Sequence, residues 1–308
     1  MTNGCGKRLE VRVVDVFTKE AFTGNPLAVA LDAQDLTAKE MQKIAAEMNL
    51  SETTFVLPPT ESRANYKIRI FTPLKEIPFA GHPSIGTTFV LAEENRFDLK
   101  EPVTTVHQEV GIGVLPIDIY VQNKTVQMIM MTQGQPRFGP IIEDVNTVAK
   151  ALGVAPEEVT KTGLSPQIVY TGLNQLMVPI KSLETLANIQ PDFSLIKQLE
   201  ERLGFIGCYV FTFETLNPKA SVHARFFAPS VAVREDPATG SAAGGLGAYL
   251  LRWRALPIKE PLTFIIEQGY EMGRPSTIHV EVEHKNYQPT KVRVGGQAVM
   301  VLKGWIIC

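Results

Sequence analysis

The sequence predicts a strand-rich α+β protein made of two similar halves, and three observations carry that expectation. The first is an internal repeat. Residues Arg69 to Leu91 read RIFTPLKEIPFAGHPSIGTTFVL, and Arg225 to Leu251 read RFFAPSVAVREDPATGSAAGGLGAYLL. Each is an Arg-led apolar run, a Pro, an acidic turn, a Gly-centred loop and a small-residue stretch passing into apolar helix. Arg69 and Arg225 lie 156 residues apart (225 − 69) in a chain of 308, so the repeat unit is about half the chain. The second observation is the run of short, valine-rich strands bounded by Gly or Pro. The third is the scarcity of helices: only four or five stretches have helical periodicity, and they do not alternate with strands. That argues against a doubly wound parallel sheet.

The elements follow in chain order. Val11 to Leu31 gives a strand, a turn at Thr23-Gly24-Asn25-Pro26 and a second strand. Thr37–Met48 is a helix, because Ala38, Met41, Ile44, Ala45 and Met48 form an i, i+3/i+4 stripe. A strand follows Glu52, another spans Ala64–Thr72, and Ser84–Glu94 is helical. Ile117–Gln122 and Thr125–Met131 are strands, and Val145–Leu152 is a helix. Val169–Ile180 repeats the first strand–turn–strand loosely, with Gly172 and Asn174 at its turn. Phe193–Leu203 echoes the first helix, and Ile206–Phe211 leads into a strand as Leu50–Phe55 does. Ala242–Arg254 is the last helix, and Thr277–Val282, Lys291–Val294 and Ala298–Lys303 are strands. The segment Gln133–Pro140, rich in Gly, Pro and Gln, reads as the seam between halves. Glu52 shifted by 156 is Cys208, so the halves share a frame but not a chemistry.

Composition narrows the function. Net charge is −2, with no basic face for nucleic acid. No apolar run is long enough to span a bilayer, and MTNGCGKRLE has no signal core. Cys5, Cys208 and Cys308 are odd in number and widely spaced, as expected of reduced cytoplasmic thiols. His279 and His284, on a strand-like segment, point to opposite faces. His107 and His223 read as solitary, so no metal site is expected. Gly240-Ser241-Ala242-Ala243-Gly244 is not a nucleophile elbow. Gly244-Gly245-Leu246-Gly247 lacks the preceding strand and the downstream acid of a dinucleotide fingerprint.

The chemistry-bearing candidates flank the helix starts. Glu52 reads either as a general base tuned by burial or as an ordinary turn carboxylate. His82, in Gly81-His82-Pro83, either faces a ligand or hydrogen-bonds backbone, and Pro83 suits a first helical turn. Asp236 steers His82 or substrate, or merely complements the helix dipole. Gly240, Ser241 and Ala242 offer N–H groups for an anion, or are small only to pack closely on a sheet.

Five ordered motifs carry a family resemblance: DVFTKEAFTGNPLAVAL, MQKIAAEMNLSETTFVL, RIFTPLKEIPFAGHPSIGT, REDPATGSAAGGLGAYL and EQGYEMGRPS. Together they resemble the phenazine biosynthesis PhzF-like family and, more distantly, the diaminopimelate epimerase and proline racemase superfamily. The resemblance implies two pseudo-symmetric diaminopimelate epimerase-like halves, each a mixed β-barrel around a central helix, with the active site in the cleft between them. It implies a first half of residues 1–128, joined by the returning segment 297–308, and a second half of 129–296. It also implies a cofactor-independent enzyme and a homodimer. Carried over residue by residue, it makes Glu52 the acid/base carboxylate and His82 and Asp236 its catalytic partners. Asn25, Gly81, Gly240 and Ser241 become substrate-binding. The superfamily's two catalytic cysteines correspond here to Ala80 and Thr239, so a two-thiol racemase is not expected.

The expectation is therefore a cofactor-free cytoplasmic isomerase, in a biosynthetic process, of a small anionic carboxylated metabolite. It would use one carboxylate to move a proton between carbons, with neither metal, nucleic acid nor membrane as partner. Two rivals remain: a non-catalytic protein that binds a small acid or a partner on the same scaffold, and an ester hydrolase using Ser241.

Overall fold

The computed structural model describes residues 8–307, so Cys5 and Cys308 lie outside the described residues. The chain divides into two compact units. One runs to Met131 and resumes at Gly295; the other is Thr132–Val294.

The first unit contains β1 (Arg8–Val16), β2 (Asn25–Ala30), α1 (Ala38–Met48), β3 (Glu52–Leu57), β4 (Tyr66–Phe71), β5 (Glu76–Ile77), α2 (Gly81–Glu93), β6 (Val103–Val110), β7 (Gly113–Gln122) and β8 (Thr125–Thr132). A terminal strand, Ala298–Ile307, pairs antiparallel with β1. The sheet is mixed: β2–β3 and β4–β6 are parallel, and β1–β2, β3–β4, β6–β7 and β7–β8 antiparallel. Helix α1 begins with a capping box between Thr37 and Glu40 and ends at Asn49 in the left-handed region (φ 50°), where Asn is well tolerated. Its buried stripe, Met41, Ile44 and Ala45, packs with Leu9, Val11, Ala28, Phe55 and Phe71.

Helix α2 is different in kind. Every residue from Gly81 to Ala92 is buried, and it packs on β1, β2, β3 and the terminal strand. A helix with no solvent face must satisfy its own hydroxyls. Ser84 donates to the Ala80 carbonyl at 3.0 Å, Thr87 shares a 2.8 Å bond with Thr54, and Thr88 is 2.6 Å from the Tyr66 hydroxyl.

The second unit repeats the plan. It contains β9 (Arg137–Ile141), α3 (Val145–Leu152), α4 (Pro156–Thr160), β10 (Gln167–Tyr170), β11 (Asn174–Pro179), α5 (Leu183–Ala187), α6 (Phe193–Leu203), β12 (Cys208–Thr212), β13 (Val222–Ala228), β14 (Val233–Asp236), α7 (Gly240–Trp253), β15 (Leu262–Gln268), β16 (Ser276–Lys285) and β17 (Gln288–Gly296). Its β11–β12 and β13–β15 pairs are parallel, matching β2–β3 and β4–β6. Helix α7, buried from Gly240 to Leu251 apart from a partly exposed Ser241, occupies the place of α2 and packs on β10, β11 and β16. The α+β class and the two-part plan follow directly.

Several sequence expectations need correction. Helices α2 and α7 begin at Gly81 and Gly240 rather than at Ser84 and Ala242. Pro83 sits within the first turn, where its missing N–H costs nothing. Within the expected seam Gln133–Pro140, β9 starts at Arg137 and pairs with β10. His223 is not solitary. It is fully buried, with Nδ1 2.6 Å from Glu267 and Nε2 2.9 Å from Glu271. Burial opposes its charge, but the two carboxylates outweigh that and push its pKa up to about 9.

The central helices approach their sheets through glycine. A Cβ on Gly86 would lie 2.6 Å from Leu27 Cδ2 and 2.7 Å from Val16 Cγ2. At the equivalent place in α7, five residues into the helix, a Cβ on Gly245 would lie 2.8 Å from Met177 Cε. Gly86→Val should therefore lower stability by about 3 kcal/mol through overpacking, measured as a shift in denaturant midpoint. An unchanged midpoint would mean that α2 is not pressed against β1 and β2.

Candidate active site

Four candidates belong to the first unit. Helix α1 ends at the left-handed Asn49, the chain turns through Leu50 and Ser51, and β3 opens at Glu52, opposite Leu27 in the parallel register. Asn25, fully buried, opens β2 and accepts a 3.3 Å hydrogen bond from Ser51. Gly81 and His82 form the first turn of α2. His82 Nε2 is 3.5 Å from Glu52 Oε2, with side-chain exposures of 7% and 18%. That Glu52 oxygen makes no hydrogen bond. Burial pushes the Glu52 pKa up to about 7, partly offset by the Ser51 hydroxyl. Glu52 and His82, both expected as site residues, thus lie within ion-pair distance of each other in the first unit.

Three candidates belong to the second unit. Asp236 ends β14 and accepts a 2.5 Å hydrogen bond from the Thr239 hydroxyl. Gly240 and Ser241 form the first turn of α7. Gln133 donates to the Gly240 carbonyl at 2.8 Å, and Gln175 donates to Ser241 Oγ at 3.0 Å.

The two helix starts share a feature. Helices α1, α3 and α6 are capped by the side chains of Thr37, Asp144 and Asp192. Helices α2 and α7 have no such cap: Ala80 has no group to offer, and the Thr239 hydroxyl is turned to Asp236 instead. First-turn N–H groups left uncapped in a buried setting attract an anion. Among the described residues no group of three His, Cys, Asp or Glu side chains could hold a metal. No helix there is long and apolar enough to cross a membrane.

Comparison with known proteins decides the family. A family described as phenazine biosynthesis-like protein matches residues 14–304. The chain belongs to the phenazine biosynthesis-like family. Among its relatives, a trans-2,3-dihydro-3-hydroxyanthranilate isomerase of Pseudomonas fluorescens is 33% identical, with 96% of this chain and 98% of that one covered. An uncharacterized isomerase of Clostridium acetobutylicum is 37% identical, covering 96% of each chain. The crystal structure of a Bacillus anthracis PhzF-family phenazine biosynthesis protein superposes with a TM-score of 0.89 at 28% identity, covering 98% of this chain and 100% of that one. This phenazine biosynthesis-like protein is accordingly an isomerase.

Within the family frame, Cys208 occupies the place of Glu52: it opens β12 opposite Leu176, as Glu52 opens β3 opposite Leu27. It lies in an apolar cluster with Val178, Ile196 and Phe227, and burial raises its pKa far above an ordinary thiol's, which leaves it inert. The glutamines Gln133, Gln175 and Gln268, which hold the α7 start, were invisible to sequence reading. Gln268 lies in the EQGYEMGRPS motif, which announced a resemblance but no contact.

The raised pKa of Glu52 has a measurable consequence. Its folded carboxyl holds a proton more tightly than the unfolded one. The group therefore favours folding most below its ordinary value of 4.5 and loses that advantage as pH rises through about 7. The difference amounts to roughly 3 kcal/mol. Glu52→Gln, neutral at every pH, should match the wild type in stability near pH 4.5 and exceed it by up to about that amount at pH 8. Parallel stability curves across this range would mean that Glu52 is not buried as described.

Proposed function

We propose that this protein is a cofactor-independent isomerase that moves a proton between two carbons of a small carboxylated metabolite, with Glu52 as the single acid/base. The observation that carries this reading is the largely buried carboxyl of Glu52, 3.5 Å from His82 and with one oxygen that makes no hydrogen bond; burial pushes its pKa up to about 7, which suits proton exchange near neutrality in both directions. In the first step the substrate C–H bond breaks, its proton goes to Glu52, and its electron pair spreads into the conjugated system that ends at the substrate carboxylate. In the second step the electron pair re-forms a C–H bond at another carbon with the proton from Glu52. Atoms and electrons balance without an oxidant or reductant.

His82 and Asp236 are assigned to orienting the substrate and balancing the charge that develops. The uncapped N–H groups at Gly81, Gly240 and Ser241, with Asn25, are assigned to holding the anionic part of the substrate or the charge as it forms. The serine hydrolase reading loses ground on one contact: the Ser241 oxygen accepts from the amide of Gln175, a group that cannot take the serine's proton. Trans-2,3-dihydro-3-hydroxyanthranilate, the compound named for the Pseudomonas relative, is the first substrate to test.

In deuterium oxide, turnover of that compound or a related unsaturated carboxylate should place solvent deuterium on carbon. Glu52→Gln should lower kcat by roughly 10²–10⁴-fold while leaving ligand affinity nearly intact. The wild-type kcat/KM should rise with pH to a plateau above about 7, because the base form starts the reaction. Wild-type-like turnover by Glu52→Gln would sink the one-carboxylate mechanism.

His82→Asn and Ser241→Ala should behave differently. Both groups are assigned to holding the substrate before any bond changes, so KM should rise as kcat falls. An effect of Ser241→Ala on kcat alone, with covalent labelling of Ser241 by a phosphonate, would restore the hydrolase reading.

A further inference from the structure

The EQGYEMGRPS motif has no role in the mechanism above, yet its glutamine is wired to a candidate site residue. Gln268, at the end of β15, is fully buried. Its Oε1 accepts from the Thr239 backbone N–H at 3.1 Å and from the Tyr209 hydroxyl at 3.0 Å. Its Nε2 donates to the Asp236 carbonyl at 2.7 Å and to Thr239 Oγ1 at 3.1 Å. All four hydrogen-bonding positions of the amide are therefore used. One end faces a backbone N–H and the other a backbone carbonyl, so the amide can sit in one orientation only.

That orientation sets the direction of the next bond. Because Gln268 donates into Thr239 Oγ1, the hydroxyl proton of Thr239 points away from Gln268, toward the carboxylate oxygen of Asp236 2.5 Å away. Ser276 reinforces the arrangement, its single hydroxyl proton placed between the carbonyls of Pro237, at 2.8 Å, and Gln268, at 2.9 Å. One residue upstream, Glu267 is clamped by His223 at 2.6 Å and by the N–H groups of Leu216 and Asn217, which anchors the end of β15.

We propose that Gln268 and Thr239 are positioning residues: Gln268 fixes the Thr239 hydroxyl as a one-way donor, and that hydroxyl aims the Asp236 carboxylate at the substrate. The same bond keeps the Thr239 oxygen from capping α7, so the helix start stays open. This inference rests on the proposed function for the role of Asp236 but not for the geometry, and its test separates the two.

The experiment compares Thr239→Val, Thr239→Ser, Gln268→Met and Asp236→Asn by crystal structure, thermal midpoint and kinetics on trans-2,3-dihydro-3-hydroxyanthranilate. In Thr239→Val and Gln268→Met the Asp236 carboxylate should rotate or lose its single orientation; in Thr239→Ser it should stay in place. One charge-assisted hydrogen bond corresponds to a loss of roughly 10–100-fold in kcat/KM, expected in Thr239→Val and rescued in Thr239→Ser at equal thermal midpoint. Asp236 keeping one unchanged orientation in both Thr239→Val and Gln268→Met would overturn the proposal, whatever the substrate. So would a loss of activity that merely tracks the thermal midpoint, or one that serine does not rescue. Full activity of Asp236→Asn, with the carboxylate still disordered in Thr239→Val, would instead leave the positioning chain standing and remove Asp236 from the proposed mechanism.

Discussion

A helix enclosed by a sheet has no water to satisfy its first-turn N–H groups, and much of this structure follows from that constraint. The three longer helices that keep a solvent face, α1, α3 and α6, close their starts with Thr or Asp side chains. The two enclosed helices do not. Their starts therefore carry concentrated positive potential with no side-chain cap to absorb it. The same enclosure requires small residues along the helix, because the sheet strands approach to within van der Waals contact. Gly86 and Gly245 are the residues that permit this approach. Packing and anion attraction are two results of one architectural choice.

Chemistry is distributed unevenly over the repeated plan. The strand that follows the outer helix begins with Glu52 in one unit and Cys208 in the other, at equivalent registers. Both are shielded from water, with opposite consequences. Burial lifts the carboxyl into the neutral range, where it can exchange a proton. It lifts the thiol out of reach of any nucleophilic role. Desolvation of comparable kind thus makes one group useful and silences the other, because their ordinary pKa values start on opposite sides of neutrality.

Buried polar side chains far apart in the sequence organise the interior of the second unit. Buried amides and the His223 pair with Glu267 and Glu271 bind loop backbone to strand ends. A buried ion pair is weak evidence for stability. Here its geometric effect is clear, since it anchors the strand end from which Gln268 reaches the Asp236–Thr239 turn. Rigid support of this kind is what a site requires if its carboxylate is to have one orientation.

The amino-acid sequence by itself determined the class, the repeat and the family. Hydrophobic periodicity located α1, α3 and α6, because their exposed faces leave a 3.6-residue signature. Helices α2 and α7 have no exposed face to write that signature. Their first turns, with Gly, Pro and Ser, resemble loops, so the sequence-based starts fell two or three residues late. The motifs containing Glu52, His82, Asp236 and Ser241 were legible as chemistry-bearing residues, but not which atoms meet. Only the tertiary structure decided that Glu52 lies 3.5 Å from His82, that His223 is clamped rather than solitary, and that Gln268 governs Thr239. Those facts depend on strand register and on burial among residues far apart in the chain. Neither has a local pattern, because a hydrogen bond across strands constrains the pair in space and not the spacing in sequence.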